Sequence, residues 1–194
     1  MHVRDWILDE HASVQERFQL SVAGTVPTDR WKEPAGPGGA SIAWLVFHTT
    51  FHEDLAVNAV IRNTPITLTT ARAELGLAAF PSFSGLGETE QPELTSELDL
   101  AALATYAHDV HSTTQTWLAG VESEEFGSLL ASTDAAGPVG LDRAGIAEAD
   151  VPWLYRMWDG KPPSFFLQWE AIGHRINHVG EMVSVRNRLG LSPF

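Results

Sequence analysis

Two histidines four residues apart form the pattern with the clearest chemical meaning in this sequence. His174 and His178 lie in an apolar segment that runs from Phe165 to Leu189. On a helix, positions i and i+4 share one face, roughly 6 Å apart, so both imidazoles can bind one metal ion from the same side. The simpler alternative is a pair of partly buried histidines satisfied by hydrogen bonds. The spacing alone leaves both interpretations open.

A third histidine, His48, lies in another apolar segment. One buried helical face is predicted there by the recurrence of Trp44, His48, Phe51, Leu55 and Ala59. This face directs His48 toward the core. If the two helices face each other, three imidazoles converge on one ion and leave coordination positions open. Such a set is typical of a catalytic metal site more than of a closed structural one.

Three further side chains are candidates for supporting roles. Glu181 lies two turns beyond His174 on the same line of the helix, so it can orient a ligand or act as a general acid or base. His52 lies one turn after His48 and is a candidate proton handler, pocket residue or fourth ligand. Glu170 lies one turn before His174, so it can contact the ring of that histidine on the side away from the metal ion. For each of them, packing or solvation is the simpler alternative.

The composition limits the chemistry that this site can perform. The 194 residues carry a formal net charge of -13 and include no cysteine. An acidic surface repels phosphate backbones and anionic lipid, so neither nucleic acid nor a membrane surface is an expected partner. Without cysteine, thiolate ligands and a protein thiol nucleophile are excluded. Any thiol chemistry therefore needs an external thiol.

Two known metal motifs are disfavoured by particular residues. Arg175 follows His174, where the metalloprotease helix His-Glu-x-x-His has its general base. A di-iron carboxylate bundle needs Glu-x-x-His pairs, and no such pair lies near His48 or His174. Peptide hydrolysis and di-iron chemistry are therefore not expected.

The elements that must position these residues are helices. Helical periodicity covers residues of about 4–23, 41–63, 96–121 and 164–189, with Ser41, Ser96 and Ser164 as N-caps. Long connections span 64–92 and 122–163, with short helices predicted within 68–77 and 151–158 and a loop at 135–140. We predict one all-α domain over residues 1–194, a four-helix bundle with two long connections carrying short helices.

The fourth helix carries a second apolar stripe, opposite the histidines: Ile172, Ile176, Val179 and Val183. A long connection or a partner subunit must cover this stripe, so a homodimer is one of two alternatives. The N-terminus is polar and lacks the apolar run of a signal peptide. No apolar stretch reaches the roughly 20 residues of a membrane span. These features predict a cytoplasmic protein.

Taken together, the motifs resemble the DinB-like superfamily, which includes the mycothiol-dependent maleylpyruvate isomerases and the bacillithiol transferases. The resemblance lies in Trp44-Leu-Val-Phe-His48 and in His174-Arg-Ile-Asn-His178-Val-Gly-Glu181. It extends to the Gly-rich segment 34–41, to the tail Val185-Arg-Asn-Arg-Leu-Gly-Leu191 and to the spacing of four helices over nearly the whole chain. Some members have a glutamate at the position of His174, so this chain is similar to the all-histidine members.

This resemblance implies a DinB-like bundle in which His48, His174 and His178 hold a divalent metal. Zinc is the first expectation, with Ni, Fe, Co or Mn as alternatives. It also implies a low-molecular-weight thiol such as mycothiol as co-substrate, and often a homodimer. We therefore expect a thiol-dependent S-transferase or isomerase in which the metal activates the thiol and Glu181 or His52 handles protons. The alternative is a non-catalytic metal-binding stress-response or ligand-binding bundle.

Overall fold

The chain folds into helices joined by turns and loops. The computed structural model describes residues 2–36, 38–132 and 136–193, and these residues contain no strand. The α-helices are α1 (Val3–Phe18), α2 (Ile42–Asp54), α3 (Leu68–Ala71), α4 (Pro92–Glu97), α5 (Leu100–Gly120), α6 (Ser123–Ala131), α7 (Gly137–Arg143), α8 (Pro152–Trp158), α9 (Pro163–Phe165) and α10 (His174–Arg188). A 3₁₀ turn spans Thr28–Arg30, and π-helical segments Gln19–Ala23, Leu55–Ile61 and Phe166–Gly173 continue α1, α2 and α9.

Four long helices pack as a bundle, which confirms the predicted all-α fold class. The first is α1 with its π-helical extension, the second is α2 with its extension, the third is α5, and the fourth runs from α9 to α10. Helix α2 packs against α5 and α10, and α1 packs against the same two helices. Helices α2 and α10 are therefore neighbours in the bundle, as the convergence of His48 with His174 and His178 requires.

Helix α2 is the central element of the core. Ser41 caps it, since its side chain accepts a hydrogen bond from the backbone N–H of Trp44 at 3.2 Å. Every residue from Ile42 to Asp54 is buried. A helix that is apolar on most sides is stable only when other elements surround it. The polar residues within it, His48, His52 and Glu53 among them, must therefore find partners inside the protein.

The boundaries of the third helix differ from the sequence prediction. Ser96 was expected as its N-cap, but α4 ends at Glu97 and α5 begins at Leu100. The Asp99 side chain accepts from the N–H groups of Ala101 and Ala102, both at 2.9 Å. Asp99 is therefore the cap, because its carboxylate satisfies two N–H groups that the helix itself cannot pair.

The second connection contains more helix than predicted. Residues 123–131 form α6, and the segment expected as a loop at 135–140 contributes Gly137 and later residues to α7. Gly137 and Gly140 permit this packing, since a Cβ at Gly140 would lie 2.5 Å from Val60 Cγ2. Ala135 of that predicted loop, and Pro37 of the Gly-rich segment, lie outside the described residues.

The second apolar stripe of the fourth helix is partly covered within the chain. Val179 is buried, and Ile172, Ile176 and Val183 are half-buried against the core. Helix α1 packs against both α10 and the π-helical segment before it. The sequence predicted that a long connection or a partner subunit would cover this stripe, but a helix of the bundle itself packs against the helix that carries it. The homodimer stays a prediction. Among the described residues, no helix has the length and apolar character needed to cross a bilayer.

Candidate metal centre

The three histidines predicted as metal ligands lie together between α2 and α10. The Nε2 atom of His174 lies 3.2 Å from Nε2 of His48 and 3.0 Å from Nε2 of His178. His48 and His174 are buried, and His178 is partly exposed. The helical face that brings His174 and His178 together is the i, i+4 face expected from the sequence.

Hydrogen bonds from the Nδ1 atoms fix the orientation of two of these rings, those of His48 and His178. Nδ1 of His48 donates to the carbonyl oxygen of Gly85 at 2.8 Å. Nδ1 of His178 donates to a carboxylate oxygen of Glu181 at 2.9 Å. Because a carbonyl or carboxylate oxygen accepts the hydrogen, Nδ1 is protonated in each ring. The lone pair of each neutral ring is then on Nε2, which is the arrangement of metal-ligating histidines.

The spacing of the nitrogens fits a bound ion. Two imidazole nitrogens about 2.0–2.1 Å from one zinc ion lie about 2.8–3.4 Å apart at bond angles of about 90–109°. The two Nε2 separations fall in that range. Without an ion, one hydrogen on Nε2 of His174 could satisfy only one of its two close neighbours. A cation between the three nitrogens satisfies all of the lone pairs at once.

The surroundings keep the imidazoles of His48 and His174 neutral. Burial, reinforced by the nearby His52 and His178, lowers the pKa of His48 to about 3. Burial and three neighbouring histidines also lower the pKa of His174. A neutral imidazole is the form that binds a metal. His48 and His174 are therefore in the form that binds a cation near neutral pH.

A carboxylate that was not predicted from the sequence, that of Glu88, lies beside the three histidines. Oxygen atoms of Glu88 lie 3.8 Å from Nε2 of His48, 4.0 Å from Nε2 of His174 and 3.7 Å from Nε2 of His178. Glu88, His48, His174 and His178 thus form one group that could hold a metal ion. Glu88 belongs to the connection between α3 and α4, which has no helical periodicity, and its side chain is 64% exposed.

The connection that carries Glu88 is held against α2 by its own hydrogen bonds. The Gly85 carbonyl accepts from His48, and the Leu86 carbonyl accepts from Nε2 of His52 at 3.1 Å. Beyond Glu88, the carboxylate of Glu90 accepts from the backbone N–H and the hydroxyl of Ser41, at 2.7 and 2.8 Å. These contacts on both sides of Glu88 fix the backbone that carries it.

His52 lies beside the three histidines but binds elsewhere. Its Nδ1 donates to Glu170 at 3.0 Å and its Nε2 donates to Leu86. Burial alone would lower the pKa of His52, but the hydrogen bond and attraction to Glu170 raise it above its ordinary value. With a hydrogen on both nitrogens, His52 offers no lone pair to an ion in this arrangement. A role for His52 in proton transfer stays a prediction.

Glu170 connects this buried ion pair to the metal centre. Its other oxygen accepts from Nε1 of Trp158 at 2.6 Å. Nδ1 of His174 is buried without a hydrogen-bond partner among the described residues and lies 3.8 Å from Oε2 of Glu170. Glu170 therefore lies beside His174 without a hydrogen bond to it, and its predicted role behind a ligating histidine stays a prediction.

A second histidine cluster is chemically different from the first. His11, Glu53 and His111 also lie within reach of one ion. However, Nε2 of His11 lies 2.9 Å from Glu53 and Nδ1 lies 2.6 Å from the amide nitrogen of Gln115. Arg175 donates to the other oxygen of Glu53 at 3.0 Å. Because His11 has both nitrogens paired and a guanidinium neutralises Glu53, this cluster is a structural network.

Replacing Gly85 by alanine is expected to damage the metal centre without touching a ligand. Gly85 has a φ of 98°, and a Cβ there would lie 2.2 Å from Cε1 of Phe47. The segment around Gly85 must then move, and this movement breaks the hydrogen bond between the Gly85 carbonyl oxygen and Nδ1 of His48. We expect the affinity for the metal to fall about 10–100-fold, because loss of a hydrogen-bond partner of a metal-ligating histidine has an effect of this size. A chelator-competition titration measures this change.

The matched control is Gly87→Ala in the same connection. A Cβ at Gly87 would meet no other atom within 4 Å, and its φ is not positive. Gly87→Ala should therefore retain wild-type metal affinity. Equal affinities for both variants would show that the Gly85 contact does not support the site.

Comparison with known proteins shows the fold alone. No protein-family model matches the chain, and none of the curated proteins matches it. A solved structure described as a conserved protein of locus from Enterococcus faecalis is similar, with a TM-score of 0.66 and 18% sequence identity. The match covers 98% of this chain and 99% of that one. At this identity, the likeness extends the helical fold to a second sequence and carries no activity with it.

Proposed function

We propose that this protein is a metal-dependent, thiol-using S-transferase or isomerase. The observation that carries the proposal is the convergence of three Nε2 atoms beside the carboxylate of Glu88, with Nε2 of His174 lying 3.0–3.2 Å from the other two. Three neutral histidine ligands would leave the full double positive charge on a bound divalent ion. Such an ion supplies one chemical effect here, since it lowers the pKa of a small thiol so that thiolate is available near neutral pH.

The residues of the chain supply binding, orientation and proton transfer. His48, His174 and His178 would hold the ion, and Gly85 and Glu181 keep two of the rings turned correctly. Glu88 is the exposed carboxylate beside the three Nε2 atoms, and its carboxylate oxygen can accept the proton that an incoming thiol releases. The chain has no cysteine, so the nucleophile must be a separate small molecule. These properties agree with the DinB-like resemblance, which itself stays a prediction.

The second candidate function is a non-catalytic metal-binding bundle, and the position of Glu88 favours it. A carboxylate at 3.7–4.0 Å from all three Nε2 atoms needs only a small movement to become a fourth ligand. A site closed by four protein ligands is typical of structural metal binding. The two functions therefore differ in what Glu88 does.

The variant Glu88→Gln separates these two roles. If Glu88 handles a proton, the variant should keep its metal, while thiol conjugation of an electrophile falls about 100-fold or more. The assay supplies mycothiol or bacillithiol with an activated aryl halide or an α,β-unsaturated acid, and mass spectrometry counts the conjugate. Glu93→Gln, on the exposed face of α4, is the control and should behave as wild type.

Two results would count against the enzyme. One is a Glu88→Gln variant that loses its metal, which would make Glu88 a closing ligand and favour the binding protein. The other is a metal-loaded wild type whose conjugation with either thiol never exceeds the uncatalysed background. That result would remove the S-transferase and isomerase proposal for these thiols.

A further inference from the structure

A large cavity opens beside the candidate metal centre. Its volume is about 680 Å³, within the range of small-molecule sites. Glu88 and Glu181 line this cavity. Each also lies beside His178, with a Glu88 oxygen 3.7 Å from Nε2 and a Glu181 oxygen 2.9 Å from Nδ1. A molecule in the cavity can therefore reach the histidine group with one end.

The charged groups of the cavity wall disfavour an anion. The carboxylates of Glu88, Glu90 and Glu181 line the cavity, and among the described residues of the wall they face one ammonium, that of Lys32. Lys32 already donates to the carbonyl oxygen of Ser96 at 2.8 Å. An anion in the cavity would leave water for a wall with a negative formal charge, so desolvation and repulsion would both oppose its binding.

A bound divalent ion would offset this negative charge at one end of the cavity only. The two oxygens of Glu90 accept from the backbone N–H and the hydroxyl of Ser41, at 2.7 and 2.8 Å. Ser41 precedes His48 by seven residues of the sequence, which is roughly 10 Å along a helix. At such a distance solvent ions screen much of the interaction between two charges. The negative charge of Glu90 therefore persists when the histidines hold an ion.

The rest of the wall offers apolar surface. Pro34, Ala40 and Pro92 present only carbon atoms from their side chains, and three glycines of the segment 34–41 contribute no side chain. Most of the accessible surface inside the cavity is apolar. Contact with this wall removes apolar surface of a ligand from water, which favours binding in proportion to the area that is covered.

Resting on the proposed function, we propose that this cavity selects uncharged thiols with an apolar chain over thiols that carry a carboxylate. The sulfur reaches the open side of the metal centre, and the apolar chain lies against Pro34, Ala40 and Pro92. The carboxylates of the wall set the charge preference, because they oppose the entry of a second negative group.

The test uses cobalt(II)-loaded protein titrated with two matched series of thiols. One series contains alkanethiols of increasing chain length, and the other contains ω-mercaptocarboxylates of the same lengths. Thiolate-to-cobalt absorption reports binding directly, without any turnover. Each added methylene of the alkanethiol should tighten binding about two- to fourfold until the cavity is filled. The alkanethiol should bind at least about tenfold more tightly than the acid of the same length.

The variant Thr89→Lys tests the charge of the wall. Thr89 is exposed and lines the cavity, so a lysine there adds a positive charge, and the disadvantage of the acids should shrink to about threefold or less. Thr69→Lys adds the same charge at an exposed position of α3 outside the cavity and should preserve the full disadvantage. The preference is a ratio of two affinities of one loaded variant, so a change in cobalt affinity does not alter it.

The variant Ala40→Leu tests the apolar contact. The larger side chain fills part of the cavity, so the gain in affinity with each methylene should end at a shorter chain. Ala104→Leu makes the same change at an exposed position of α5 and should keep the wild-type dependence on chain length.

The outcomes separate this inference from the proposed function. Acids that bind as tightly as alkanethiols at every length would overturn the inference while the metal centre stands. An undiminished disadvantage of the acids in Thr89→Lys, or an unchanged dependence on chain length in Ala40→Leu, would also overturn it. Failure of wild-type protein to bind cobalt at the histidines would overturn the proposed function and this inference together.

Discussion

Replacing His174 by alanine is expected to lower the affinity for a divalent ion by at least about 100-fold. His174 is the central member of the histidine group, because its Nε2 lies within 3.2 Å of Nε2 in both His48 and His178. Metal binding to a four-ligand zinc site releases about 10–16 kcal/mol, or about 3 kcal/mol for each ligand. Losing one ligand of three should therefore leave little metal on the purified protein. Elemental analysis after dialysis against a weak chelator measures the loss.

Two further variants test whether the loss of metal is specific to this histidine group. His108→Ala removes an exposed histidine and should keep wild-type metal content. His178→Ala removes a more exposed ligand with less disturbance of packing, and it should lose metal as His174→Ala does. Far-ultraviolet circular dichroism establishes that each variant is folded. Wild-type metal content in a folded His174→Ala variant would contradict the assignment of the ligands.

Glu53→Gln is expected to destabilise the protein by about 3–5 kcal/mol, the usual cost of removing one partner from a buried ion pair. Glu53 is fully buried and contacts three helices besides its own. It pairs with His11 of α1, accepts from Thr114 of α5 at 2.8 Å, and pairs with Arg175 of α10. The neutral amide would leave the Arg175 charge buried and unpaired. Urea unfolding, followed by tryptophan fluorescence, measures the change.

The double variant Glu53→Gln with Arg175→Met tests the cause. Removing both charges should recover part of the lost stability, because the unpaired guanidinium is then absent. Glu16→Gln changes an exposed glutamate of α1 and serves as the control for charge alone. A Glu53→Gln variant as stable as this control would show that the network does not hold the helices together.

The same network predicts how stability depends on pH. Burial alone would raise the pKa of Glu53, but attraction to His11 and Arg175 and the hydrogen bond from His11 hold it at about 2, below the ordinary 4.5. A lowered carboxyl pKa stabilises the fold fully above pH 4.5, and the contribution is lost as pH falls toward 2. Metal-free wild type should therefore lose stability more steeply than metal-free Glu53→Gln over that interval. Parallel curves would contradict the paired state of Glu53.

The sequence predicted the bundle and the histidine group because both follow from helical periodicity. The stripe through Trp44, His48 and Phe51 places His48 in the core, and the i, i+4 spacing aligns His174 with His178. Such patterns depend only on residues near in sequence. The helix faces on which the three histidines lie could therefore be predicted without knowing the path of the long connections.

Glu88 could not be predicted in the same way. It lies in a segment without periodicity, and its position depends on the contacts of Gly85, Leu86 and Glu90 with distant residues of α2 and its cap. The Glu53 network was also not predicted, because His11 and His111 lie on different helices, α1 and α5, far apart in the sequence. The one local signal was Glu53 itself, which with Asp54 places charged residues in a largely apolar helix.

An anomalous difference map at the zinc absorption edge, measured on crystals soaked with zinc, shows whether the three histidines hold a metal ion. We expect one strong peak about 2.0–2.1 Å from the Nε2 atoms of His48, His174 and His178. We expect no peak between His11, Glu53 and His111, where the ring nitrogens of His11 and the carboxylate are already paired. An empty histidine group, or a peak at the second cluster alone, would contradict the assignment of His48, His174 and His178 as metal ligands.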